Sequence, residues 1–102
     1  MAFGVRVVEE NGTVVEKIVA DHNFNPVLRG VDGGKYPTMA SLDPYRDTYL
    51  NHLQCKSLAG ELRDGAQFLD EMEVRQDATL ELIRLCEVVQ AKPHRRLLFI
   101  GD

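Results

Sequence analysis

The residues best equipped for chemistry crowd into one stretch, Asp43-Pro44-Tyr45-Arg46-Asp47-Thr48, which runs on into Tyr49-Leu50-Asn51-His52-Leu53-Gln54. Asp43 and Asp47, brought beside His94 and the terminal Asp102, would make an acid/base or divalent-cation cluster. That is the chemistry of a small hydrolase or a metal-assisted enzyme. The plainer role for both aspartates is to accept hydrogen bonds from turn amides, which Asp beside Pro does without any substrate. Tyr45, Arg46 and Tyr49 have no such local duty. Tyr and Arg are favoured in the centres of protein interfaces, so these three are the candidates for contact with a partner.

Other catalytic patterns have little support. His52 and Cys55 are three residues apart on an expected helix, with Cys86 and His94 elsewhere. A zinc site usually joins two short ligand pairs, and only one pair exists, so no metal is expected. Ser41 and Ser57 lack a GxSxG elbow, and neither cysteine has a base partner nearby in sequence. The glycines between Gly30 and Gly34 form neither a GxGxxG fingerprint nor a phosphate-cradling loop with its lysine. No cofactor is implied, and the sequence leans away from an enzyme.

Charge narrows the partners. The net charge is -4, and the acids gather in Glu61, Asp64, Asp70, Glu71, Glu73, Asp77, Glu81 and Glu87, opposed only by Arg63, Arg75 and Arg84. Nucleic acid would need a cationic footprint and is disfavoured. A basic protein partner is permitted, with Glu71, Glu73 and Glu81 as contacts. A solvated helix surface is the simpler account of the same charges.

The elements that must position these residues can be read from periodicity. At 102 residues, with 44% hydrophobic and 27% charged content, the chain fits one folded domain. No apolar run approaches the roughly 18 residues of a membrane span. The start lacks a signal-peptide pattern, so the expectation is a cytoplasmic protein. Phe3 to Val8 and Thr13 to Ala20 read as strands joined at Asn11-Gly12, a strong hairpin signal. Residues 21–38 read as a loop, with a short helical turn around Pro26 to Arg29. Thr38 to Leu42 is strand-compatible, and Asp43-Pro44 suits a tight turn into a returning strand at Thr48-Tyr49-Leu50, a second hairpin.

Asn51 and Gln54 then have the spacing of a helix capping box. Behind them Cys55, Leu58, Ala59 and Leu62 make one apolar stripe, and Gly65 closes the helix. A second helix runs from Asp77, or a turn earlier, to Ala91, with Ala78, Leu82, Leu85, Cys86 and Val89 on one face. Pro93 stops it. Both cysteines thus read as small buried hydrophobes rather than a disulfide. Arg95 to Ile100 is a final strand whose apolar run suits the interior of a sheet.

The segment Leu42 to Thr48, with Asn51 and Gln54 behind it, is similar to a DPYxDTxxNxxQ pattern in small bacterial proteins of unassigned function. The ending His94 … Leu98-Phe99-Ile100-Gly101-Asp102 resembles their C-terminus. Those proteins carry Gly where this chain has Arg46, which leaves the turn type open. The resemblance covers about half of the chain and implies a small, free-standing cytoplasmic protein, with no activity attached.

The expectation is therefore an α+β domain: an antiparallel sheet of two hairpins plus a C-terminal strand, two helices on one face, in the order ββ-loop-ββ-α-α-β. Its expected function is that of a non-enzymatic protein-binding module. One form is an immunity-type or antitoxin-like protein that blocks a basic partner. The hydrolase built on Asp43, Asp47 and His94 is the alternative, and self-association through an open sheet edge is a third reading.

Overall fold

Asn11-Gly12 reverses the chain as its residue types require, with Gly12 at a φ of 88° and its N–H donating to Glu9 O at 2.9 Å. The computed structural model describes residues 4–17, 31–43, 45–71 and 76–101. On either side of the turn, β1 (Gly4–Val8) and β2 (Val14–Lys17) pair antiparallel, with an irregularity in register between Val7 and Val8. The rest of the second expected strand, Ile18 to Ala20, falls outside the described residues, as does the expected turn at Pro26 to Arg29.

A tight turn forms on Asp32, whose carbonyl accepts from Tyr36 N at 2.7 Å. The segment read as a third strand is instead a short helix, α1 (Pro37–Ala40). Two facts explain the difference. Pro37 opens the helix at a position where its missing N–H costs nothing. The next two amides, Thr38 N and Met39 N, donate to the Glu61 carboxylate at 3.0 and 2.9 Å. A cap more than twenty residues away leaves no local sequence signal.

There is consequently no second hairpin. The turn at residues 43–47 joins α1 to β3 (Thr48–Leu50), and β3 pairs with the last strand, β4 (Arg96–Ile100). Three longer pieces lie between them: α2 (His52–Asp64), α3 (Ala66–Glu71) and α4 (Gln76–Gln90). The sheet is antiparallel throughout, in the order β2-β1-β4-β3. The class is α+β, as the periodicities indicate, but the order is ββ-α-β-α-α-α-β.

Both long helices bury the predicted stripes. Cys55, Leu58, Ala59 and Leu62 of α2 meet Ala78, Leu82, Leu85, Cys86 and Val89 of α4 in one core. Val5, Val7, Leu50, Leu97 and Phe99 complete it from the sheet. These strand residues share one face by register, since Val5 opposes Phe99, Val7 opposes Leu97, and Leu97 also opposes Leu50. The alternate positions face the other way. Leu98 lies between Arg6 and Tyr49 there, and both of those neighbours are exposed.

Candidate functional site

The two segments singled out in sequence, 42–54 and 94–101, are neighbours. Thr48, Tyr49 and Leu50 oppose Phe99, Leu98 and Leu97 along the β3–β4 ladder. Below the ladder, the 43–47 turn seals onto Gly101. A Cβ there would lie 2.8 Å from Asp43 O and closer still to the backbone of Arg46. Only glycine lets the chain pass so near, which explains why the turn and the chain end belong together.

Within that turn Asp43 does structural work, while Asp47 is exposed. Asp43 Oδ1 accepts from Tyr45 N at 2.9 Å, and its Oδ2 lies 3.9 Å from Arg46 Nε. Asp43 N in turn donates to Thr48 Oγ1 at 3.5 Å. The ladder carries Asp43 and Asp47 to the Gly101 end of β4, whereas His94 precedes the opposite end. Asp47 precedes Thr48, which opposes Phe99, while His94 lies before Arg96, so the length of β4 (Arg96–Ile100) stands between them, roughly 13 Å at about 3.3 Å per residue. The aspartate–histidine cluster of the hydrolase alternative therefore does not assemble. Asp102 lies outside the described residues.

The three partner-contact candidates are all displayed. Tyr45 is 66% exposed and Tyr49 is 50% exposed, while the Arg46 side chain is 84% exposed. Tyr49 does not stand alone: the Arg96 guanidinium lies 4.8 Å from its ring centre. Above this stack a groove of about 410 Å³ opens between the start of α2 and the Pro93-His94 corner, lined by Asn51, His52, His94, Arg95, Arg96 and, opposite, Glu10.

The groove's walls are set by local chemistry. Asn51 Oδ1 accepts from Gln54 N, and Gln54 Oε1 accepts from Asn51 N, both at 2.9 Å, closing the predicted capping box. His94 adopts a φ of 66°, the only positive value at a non-glycine among the described residues. Arg95 ties this corner to α4 by donating from Nη1 to Val88 O at 2.9 Å. Its Nε is buried without a hydrogen-bond partner. The sequence pairs His52 and His94 only as candidate metal ligands and gives no sign of Arg95 and Arg96 as their companions, beyond two arginines next to a histidine after a helix-stopping proline.

The acidic segment is less free than its composition suggests. Glu61 caps α1, and Glu87 meets Arg63 at 3.3 Å. Arg84, one of the few cations of the segment, pairs with Glu16 of β2 at 3.1 Å. Glu81 is half-buried and already engaged. Glu71 is exposed at the end of α3, and Glu73 lies outside the described residues.

The cysteines belong to the core. Both are buried free thiols, and Cys55 Sγ contacts Leu50 O at 3.7 Å. A hydrogen bond with the Cys55 side chain, then burial, pushes the Cys86 thiol far above the ordinary range. Nucleophilic attack and metal binding need the thiolate, which this environment suppresses. Among the described residues, no group of three or more His, Cys, Asp or Glu side chains is placed to hold a metal ion. No helix among them is long and apolar enough to cross a membrane. Comparison with known proteins finds no matching family model, no matching curated protein and no matching solved structure.

Proposed function

We propose that this chain is a non-enzymatic protein-binding module that meets its partner through the β3–β4 side. The observation that carries this reading is the display of Tyr45, Arg46 and Tyr49 along β3 and the turn before it. Two aromatic rings stand half exposed or more in a segment where Asp43 serves the turn and Asn51 and Gln54 serve the helix cap. Tyrosine buries much area at little entropic cost, arginine adds a planar fork of donors, and both are enriched in interface centres. A blocking role of the immunity or antitoxin kind is the concrete form of such a module.

A second surface supports the basic-partner version. Asp64, Asp70 and Glu71 are exposed acids around the α2–α3 corner, and they supply the charge that Glu61 and Glu87 spend internally. This reading is the weaker one, because exposed rim charges steer association more than they hold a complex.

The test is affinity capture followed by titration with the captured protein. Replacing Tyr45 and Tyr49 together by Ala is expected to weaken binding by about 2 kcal/mol or more, mostly through faster dissociation. Replacing Asp64 and Glu71 by Lys is expected to slow association at low salt with a smaller loss of affinity. Unchanged affinity in the tyrosine pair would overturn the β3–β4 reading. A large loss confined to the lysine variant would favour the acidic corner instead.

A further inference from the structure

We infer that the groove between the start of α2 and the Pro93-His94 corner binds an oxyanion, a carboxylate or a phosphate, with Arg96 as its principal contact. The Arg96 guanidinium carbon lies over the Tyr49 ring, 4.8 Å from its centre, and among the described residues no acceptor takes its N–H groups. A guanidinium over an aromatic face is held by its cation–π attraction and keeps its N–H groups available for other partners. Those groups form the fork a carboxylate or phosphate occupies with two parallel hydrogen bonds.

Three further features of the same groove favour an anion. His52 and Leu53 occupy the first two positions of α2, so their N–H groups have no intrahelical carbonyl to meet. No acid stands in that first turn to neutralise the positive end of the helix. Independently, Arg95 is a cation in the groove wall with only 11% of its side chain exposed; its Nη1 is taken by Val88 O and its buried Nε lacks an acceptor, so it adds charge behind the site rather than a direct contact. Glu9 faces Arg95 across 3.9 Å, and Glu10 is the one carboxylate of the lining, so the groove offers Arg96 and the imidazoles of His52 and His94 as hydrogen-bond donors rather than an excess of positive charge. The case for an oxyanion rests on donor geometry, the Arg96 fork beside the free amides of the α2 start.

The shared chemistry has two sources, an acidic side chain or chain terminus of a protein partner, and a free small anion. This inference stands on the groove and not on the protein-binding reading. Tyr45→Ala should weaken partner capture yet leave anion binding unchanged, so the two fail separately.

The experiment is an NMR titration of the whole chain with acetate, with inorganic phosphate and with a short acidic peptide, each at constant ionic strength against chloride. Saturable shifts are expected at the His52 and Leu53 amides and at the Arg96 side chain. Arg96→Lys keeps the charge but loses the fork, and should weaken binding roughly five- to ten-fold. His94→Gly removes an imidazole at a backbone angle glycine favours, so it tests the site in a folded chain, and it should also weaken binding. Lys35→Gln, a charge loss near the far end of α2, should change nothing. Peptide binding much tighter than acetate assigns the site to a protein partner, and phosphate preference assigns it to a free anion. Shifts that never saturate, or that Lys35→Gln reduces as much as Arg96→Lys, would identify an adventitious ion only and overturn the site.

Discussion

His94 holds a φ of 66°, where a side chain with a Cβ costs roughly 1–2 kcal/mol relative to the right-handed regions. Glycine would relieve that strain but would gain freedom in the unfolded chain, an opposing effect of similar size. His94→Gly is therefore expected to leave unfolding free energy within about 1 kcal/mol of the parent, measured by chemical denaturation. A loss well beyond that would mean the imidazole itself holds the corner. Cys86 supplies the residue-scale pH dependence. Its thiol is raised in the folded chain, whereas the unfolded thiol ionises near about pH 8.5. The stability that comes from keeping it neutral is thus fully present below that pH and is lost as the pH rises above it. Denaturation between pH 8 and 10.5 should show a decline that flattens in Cys86→Ala. Equal slopes in the two chains would remove the thiol as its cause.

At the scale of elements, the helices that could be read from sequence are those whose caps and stripes are local. Asn51 and Gln54 lie three residues apart and bond reciprocally, and the α2 and α4 stripes follow the 3.6-residue period into the core. Asn51→Ala is expected to cost about 1 kcal/mol, and Gln54→Ala added to it rather less than its own single effect. Full additivity in that cycle would show that the two caps act independently. α1 was not readable, because the carboxylate that caps it belongs to Glu61 on another helix. Glu61→Ala leaves the Thr38 and Met39 amides unpartnered and should cost about 1–3 kcal/mol. Glu61→Gln, which keeps one acceptor oxygen, should cost less. By contrast the Arg63–Glu87 pair is solvent-exposed on both sides, so breaking it should cost under about 1 kcal/mol. The same limit governs the candidate site. Tyr45, Arg46 and Tyr49 could be named because nothing local needs them. The groove could not, because its walls come from β4, α2 and the first hairpin, which only the finished topology brings together.

The sheet is closed by its first and last strands. β1 and β4 form the central pair of the sheet, and β4 also carries β3. The apolar run of β4 is explained by this position, since Leu97 and Phe99 enter the core and Leu98 sits between strands on both sides. Pairing Gly4 with Ile100 closes nearly the entire chain, so much of the loop entropy is lost before the sheet gains contacts. Two consequences can be measured. Folding should be slower than that of a helical bundle of equal length, in the range of about milliseconds to seconds. Removing residues 96–102 should abolish cooperative unfolding altogether. Without β4, the β1–β2 hairpin and β3 have no common partner, and Val5, Val7 and Leu50 lose the strand that unites them. An isolated hairpin is marginal in water, and the helices would be left with a core lacking its sheet side. Circular dichroism and amide-proton NMR of the truncated chain test this directly. A shallow thermal transition with collapsed shift dispersion is expected. A sharp transition with native-like dispersion would mean that β1 and β3 are organised without β4, and the strand order β2-β1-β4-β3 would have to be abandoned.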